Sequence, residues 1–118
     1  MKGKSLLREK SFAFAVRIVR LYGYLSERKR EFVLSRQLLR SGTSIGANVR
    51  EAQNAQSTAD FIHKLCISQK ECDETLYWIE LLKATDFLTT EEYRSIHRDA
   101  KELLKMLRSC ILTTKNNL

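Results

Sequence analysis

Three groupings of side chains have types and spacing that could do chemistry. Glu51, Glu71 and Glu74 are carboxylates on neighbouring helical stretches, and Glu51 with Glu71 or Glu74 would make a general acid and base. Such a pair also needs a cleft and substrate-positioning groups, and the sequence offers no such set. His63 and Cys66 stand three apart, which is the helical reach of a Cys-His dyad or half a metal site. Zinc takes three or four ligands at recognisable spacing, and only His97 and Cys110 remain of the right type. Cys66 and Cys72 lie about 240° apart around a helix and cannot act together. Neither catalysis nor metal binding has a framework here, and no cofactor, metal or small-molecule substrate is expected.

The stretch from Arg40 to Ala52 holds Gly42 and Gly46, yet it lacks the Lys-Ser/Thr that closes a phosphate loop and has no preceding strand. Two glycines four apart share one helix face, where missing side chains let a second helix approach closely. Ser44, Asn48 and Glu51 run beside the apolar face of Leu34, Leu38, Ile45, Val49 and Ala52. Polar groups at the edge of a core need partners, and Lys70, Glu71 and Glu74 on the following helix are the candidates for a buried structural network.

The third grouping is cationic. Arg17 and Arg20 lie on the polar edge of the first helix, Arg28, Lys29 and Arg30 form a turn, and Arg36, Arg40 and Arg50 share a side of the second helix. Residues 1–40 carry eleven Lys and Arg against three Glu, a net +8, whereas residues 41–118 carry ten against eleven acids, a net of −1. The whole excess of +7 thus lies in the first third, as on a surface that meets phosphate or an acidic partner. A solvated face that keeps the protein dissolved has the same composition. Arginine bonds phosphate in bidentate fashion, and Tyr22 and Tyr24 could stack on unpaired bases. No helix-turn-helix, zinc finger or ribonucleoprotein motif is present, so contact would be with backbone charge and shape.

These side chains must be positioned by helices. The chain has 118 residues, 43% apolar and 30% charged, with no proline to interrupt a helix. One domain is expected. Hydrophobic periodicity predicts helices over about 6–25, 31–52, 58–84 and 90–112, joined by breaks short enough to force antiparallel, up-down-up-down neighbours. Ser57 with Asp60, and Thr89 with Glu92, are start signals for the last two. No apolar run reaches the roughly 18 residues of a membrane span. The first ten residues are too charged for a leader peptide, and three odd, scattered cysteines do not make a disulfide framework, so the cytoplasm is the expected compartment.

Two helices are apolar on more than one face. In the first, Phe12, Val16 and Val19 oppose Phe14, Ile18, Leu21 and Leu25; in the third, the end from Leu76 to Leu82 is apolar almost all round. A single four-helix core uses one stripe per helix. The second stripes, assigned to Phe14, Ile18, Leu21, Leu25, Trp78 and Leu81, predict a self-association interface.

Several of these stretches resemble the four-helix bundle family of 23S rRNA intervening-sequence proteins, whose relatives include accessory proteins of diversity-generating retroelements. The likeness covers roughly residues 10–112. It is carried by Gln37, Leu38 and Arg40, by Ser44 to Asn48 with Glu51 and Ala52, by Asp60 to Lys64, and by Lys70, Glu71, Glu74, Thr75, Tyr77, Trp78, Leu81 and Leu82. Arg50 and Ala52 depart from the family pattern, which often closes this helix with Ala and then Glu-Gly. The resemblance implies a bundle assembled into a ring, commonly a homopentamer, without catalysis, and with a connection to RNA. Two functions follow as expectations: a non-enzymatic oligomeric module whose basic surface binds RNA or a ribonucleoprotein, or a scaffold docking an acidic protein such as a reverse transcriptase without touching RNA.

Overall fold

The computed structural model describes the backbone of residues 2–118 and the side chains of residues 6–118. Its regular elements, among the described residues, are four helices: α1 Lys2–Glu27, α2 Leu34–Gln53, α3 Thr58–Ala84 and α4 Thr90–Asn116. Each packs on the next and α1 closes on α4, filling a body of 47 × 21 × 19 Å. Helices of 26 or 27 residues are about 40 Å long and so run the length of that body.

Local chemistry sets the ends. Ser57 accepts the Asp60 N–H at 3.0 Å, and Thr89 and Glu92 exchange side-chain and backbone hydrogen bonds in a capping box. Helix α2 begins at Leu34, three residues beyond the sequence expectation, because Glu31 acts as a cap and is not part of the helix. Its carboxylate accepts the N–H of Val33, Leu34 and Ser35 at 3.1, 2.8 and 2.7 Å, and the Ser35 hydroxyl donates back to the Glu31 carbonyl at 2.7 Å. Burial pushes the Glu31 carboxyl up, but the Leu34, Ser35 and Val33 hydrogen bonds outweigh it and leave the group below its ordinary 4.5. A lowered carboxylate contributes stability above the unfolded value and loses it as pH falls through the folded one. Glu31→Gln is therefore expected to cost about 1 kcal/mol at neutral pH. In urea titrations the gap to wild type should close in acid; a gap that is constant with pH would contradict the cap.

The interhelical contacts have a consistent order. Ile18 meets Gly42 and Ser11 meets Gly46 between α1 and α2. Ser41 bonds Thr75, the Ile45 carbonyl accepts from Ser68, and Glu51 pairs with Lys64 between α2 and α3. The Cys72 thiol donates to the Ala100 carbonyl and Glu80 meets His97 between α3 and α4. Along each pair, numbers rise on one helix as they fall on the other.

The core corrects one expectation. Phe14, Ile18 and Leu25, assigned to a second interface, are 2%, 0% and 0% exposed and lie inside the chain's own core with Leu38, Ile45, Leu65, Ile79, Leu103 and Leu107. They have no surface to offer a second copy. The outward stripe of α1 is the other one, with Phe12 58% and Val19 52% exposed. A helix with two apolar faces does not announce which one turns inward. Leu21 on α1 and Trp78 and Leu81 on α3 are half-buried, and Tyr77 next to Trp78 is exposed. No helix among the described residues is long and apolar enough to cross a membrane.

Candidate nucleic-acid interface

The turn between α1 and α2 is built to hold three cations outward. The N–H groups of Arg28 and Lys29 return to the Tyr24 carbonyl, that of Glu31 returns to Leu25, and Arg30 adopts φ 58°, the left-handed conformation that reverses the chain. With Glu31 anchored in the α2 terminus, Arg28, Lys29 and Arg30 are left exposed. The Lys29 ammonium stands 5.9 Å from the Tyr24 ring centre, and the Arg30 guanidinium 5.6 Å from that of Phe32. Arg20 and Arg36 are also exposed, within about 12 Å of the turn along the helices. None of these five enters the described ion pairs.

Two other arginines of the expected surface are already occupied. Arg17 donates to the Asp99 carboxylate and, at 2.9 Å, to the Ser95 hydroxyl, which ties α1 to α4. Arg40 pairs with Glu71 and Glu74, and Glu74 also accepts from the Trp78 indole N–H at 3.1 Å. Their charges are met within the molecule. Arg50 lies elsewhere: fourteen residues beyond Arg36 on α2, it is about 21 Å along the axis, with its guanidinium 5.9 Å from the centre of the Phe12 ring. The expected cationic set is thus divided into a charged end, two intramolecular ties and a separate site at Arg50.

The expected polar network is divided as well. Ser44 donates to the Arg40 carbonyl and Asn48 to the Ser44 carbonyl, both within α2. Glu51 holds Lys64, whose ammonium is raised above its ordinary value by that partner, while Glu71 and Glu74 hold Arg40. Lys70 is exposed. The glutamates once paired as acid and base are separately engaged by cations, a structural arrangement. The buried polar contacts are instead made by small hydroxyls that sequence reasoning passed over: Ser35, Ser41, Ser68 and Thr75, all 0% exposed. Their signal was available, because each sits on the same helical stripe as the apolar core residues.

The cysteines and histidines do not converge. Among the described residues no three His, Cys, Asp or Glu are placed to hold a metal ion. His63 is exposed and Cys66 half-buried. Burial, with a smaller contribution from Asp73, pushes the Cys72 thiol up to about 12, where the reactive thiolate is scarce. A maleimide or disulfide reagent is expected to modify Cys66 and Cys110 in the native protein and Cys72 only on unfolding. Native labelling of Cys72, read by peptide mass, would contradict this burial.

Four packed helices, with no strand among the described residues, define an all-α four-helix protein. The chain belongs to the 23S rRNA-intervening sequence protein family, whose model matches residues 4–109. It is similar to a protein with unknown function from the S23 ribosomal protein family of Bacteroides thetaiotaomicron VPI-5482, solved by crystallography at 1.70 Å. The two are 55% identical, with 92% of this chain and 97% of that one covered and a TM-score of 0.91. No curated protein is similar in sequence.

Proposed function

We propose that this protein is a non-enzymatic, self-associating module that binds RNA, free or within a ribonucleoprotein, through the cationic α1–α2 end. The observation that carries the reading is the set Arg28, Lys29 and Arg30, exposed and held by a turn whose backbone is fixed on both sides, with the exposed Arg20 and Arg36 on the adjoining turns of α1 and α2. Preorganised guanidinium groups without carboxylate partners suit phosphate. The family is named for intervening sequences of 23S rRNA, and an RNA partner met in the cytoplasm is part of this reading.

The helices run up-down-up-down in this reading, antiparallel throughout, as the opposed numbering of their contacts supports. Self-association uses the margin of α3, where Tyr77 and Trp78 meet edge to face with ring centres 5.0 Å apart and Leu81 remains half-buried, with the half-buried Leu21 of α1 as a separate contributor. Five subunits are favoured by the family resemblance. Light scattering after size exclusion should return a multiple of 13.7 kDa, and Trp78→Glu should dissociate the assembly while circular dichroism stays helical. A wild-type monomer at micromolar concentration would remove the oligomer from the proposal.

RNA binding itself is tested by the 260 to 280 nm absorbance ratio of the purified protein and by gel shift of a single-stranded RNA at low salt. Retained nucleic acid and a shift are expected. A clean protein that shifts no RNA would leave the cationic end to an acidic protein partner.

A further inference from the structure

We propose that the outer groove between α1 and α2, around Phe12, is a stacking site for one unpaired nucleotide of a bound RNA. This rests on the RNA reading above and extends it away from the charged end, sixteen residues and about 24 Å along α1 from Arg28. Phe12 is a large aromatic side chain left 58% exposed in mid-helix, with the Arg50 guanidinium across the groove at 5.9 Å from its centre. Arg8 stands one turn before it on the same face. Two depressions adjoin the ring. One, of about 590 Å³, is bordered by Arg8, Glu9, Phe12 and Arg50; the other, of about 370 Å³, has the small residues Ala15, Gly46 and Ala47 in its lining.

Each feature has a use toward a nucleotide. The small lining residues leave the ring open to a base. Arg8 and Arg50 enter none of the described ion pairs, and of the two carboxylates in the linings, Glu9 and Glu51, Glu51 is held by Lys64. Glu9 borders only the first depression and repels phosphate there, so a phosphate meets the arginines from the side of the second, which Arg50 and Arg8 also line. Volumes of this order suit one small group and not a helix, whose apolar face needs a groove several turns long. Stacking on an aromatic ring with an arginine alongside is sequence-tolerant, since every base offers a π-face.

The test compares wild type, Phe12→Leu and Phe12→Trp, with Trp78 retained in all three as the common baseline. The probes are a 20-nucleotide polyuridine strand and heparin, a polyanion without bases. Phe12→Leu should weaken polyuridine binding roughly tenfold and leave heparin binding unchanged, stacking on one ring being of that order. The added fluorescence of Phe12→Trp should be quenched by polyuridine and not by heparin. If RNA binds all three equally and no added quenching occurs, the groove is not a base site, although the RNA reading stands. If wild type binds no RNA, both fall. If Phe12→Leu changes the assembly mass and the new tryptophan is already shielded without RNA, a second copy covers the groove and the proposal is wrong.

Discussion

Gly42→Ala is expected to destabilise the protein by about 1–3 kcal/mol, even though alanine is the better helix former by about 1 kcal/mol. A methyl group at Gly42 would stand 2.8 Å from both Cγ1 and Cγ2 of Ile18 and 3.2 Å from Cδ1. Ile18 is fully buried and β-branched on a helix, so it holds one rotamer and cannot swing aside. The contact is relieved only if α1 and α2 separate, which loosens the core along both. Gly46→Ala meets the Ser11 carbonyl oxygen at 3.2 Å, a lesser conflict that the propensity gain offsets in part. Gly23→Ala meets nothing within 4 Å and should stabilise by up to about 1 kcal/mol. The order of urea midpoints is therefore Gly23→Ala, wild type, Gly46→Ala, Gly42→Ala. Ile18→Ala should recover stability specifically in the Gly42→Ala background, the coupling expected of touching residues. A Gly42→Ala midpoint at or above wild type would show that the helices are not this close.

The second large effect belongs to the buried hydroxyls. Ser41 and Thr75 lie 2.9 Å apart, Thr75 also donates to the Glu71 carbonyl at 2.7 Å, and both residues are 0% exposed. Thr75→Val keeps the shape and removes the partner of Ser41, leaving a buried hydroxyl with only the long 3.4 Å contact to the Leu38 carbonyl. The expected cost is about 1–3 kcal/mol, the penalty of an unsatisfied buried polar group. Ser41→Ala in the same background removes the orphan. The double variant should therefore be more stable than the sum of the single losses predicts, and Thr75→Ser should restore most of the stability. Strictly additive losses in denaturant titrations would mean that the two hydroxyls do not share a hydrogen bond.

Both effects mark the boundary of what the sequence discloses. Four helical periods could be read from the residues, and the start signals at Ser57 and Thr89 formed as their spacing requires, because a cap is a local event within three or four residues. The beginning of α2 was missed because its cap comes from Glu31, a residue in the preceding turn, and a carboxylate at that position reads as surface charge. The inward face of α1 was assigned backwards for a different reason. Its two apolar stripes are equivalent until Gly42 and Gly46 select the one carrying Ile18 and Ser11 for close approach.

The cationic surface was legible as a sum and not as an arrangement. Counting charges places +8 in the first forty residues, but pairing is decided across helices, where Asp99 takes Arg17 and Glu71 with Glu74 takes Arg40. Those acids lie more than thirty positions from their partners, beyond any local pattern. The turn from Arg28 to Arg30 lies between the end of α1 and the start of α2, outside both helices, and enters none of the described ion pairs.

The most direct measurement is the salt dependence of RNA affinity for wild type and for Arg28→Glu/Lys29→Glu/Arg30→Glu, with assembly mass checked in both. Each phosphate contact on a single strand contributes a slope of about −0.7 in log affinity against log salt, so losing three should flatten the slope by roughly two units. The account predicts that flattening, together with a large loss of affinity at low salt and an unchanged oligomer. A triple variant that binds as tightly as wild type with the same slope would contradict it.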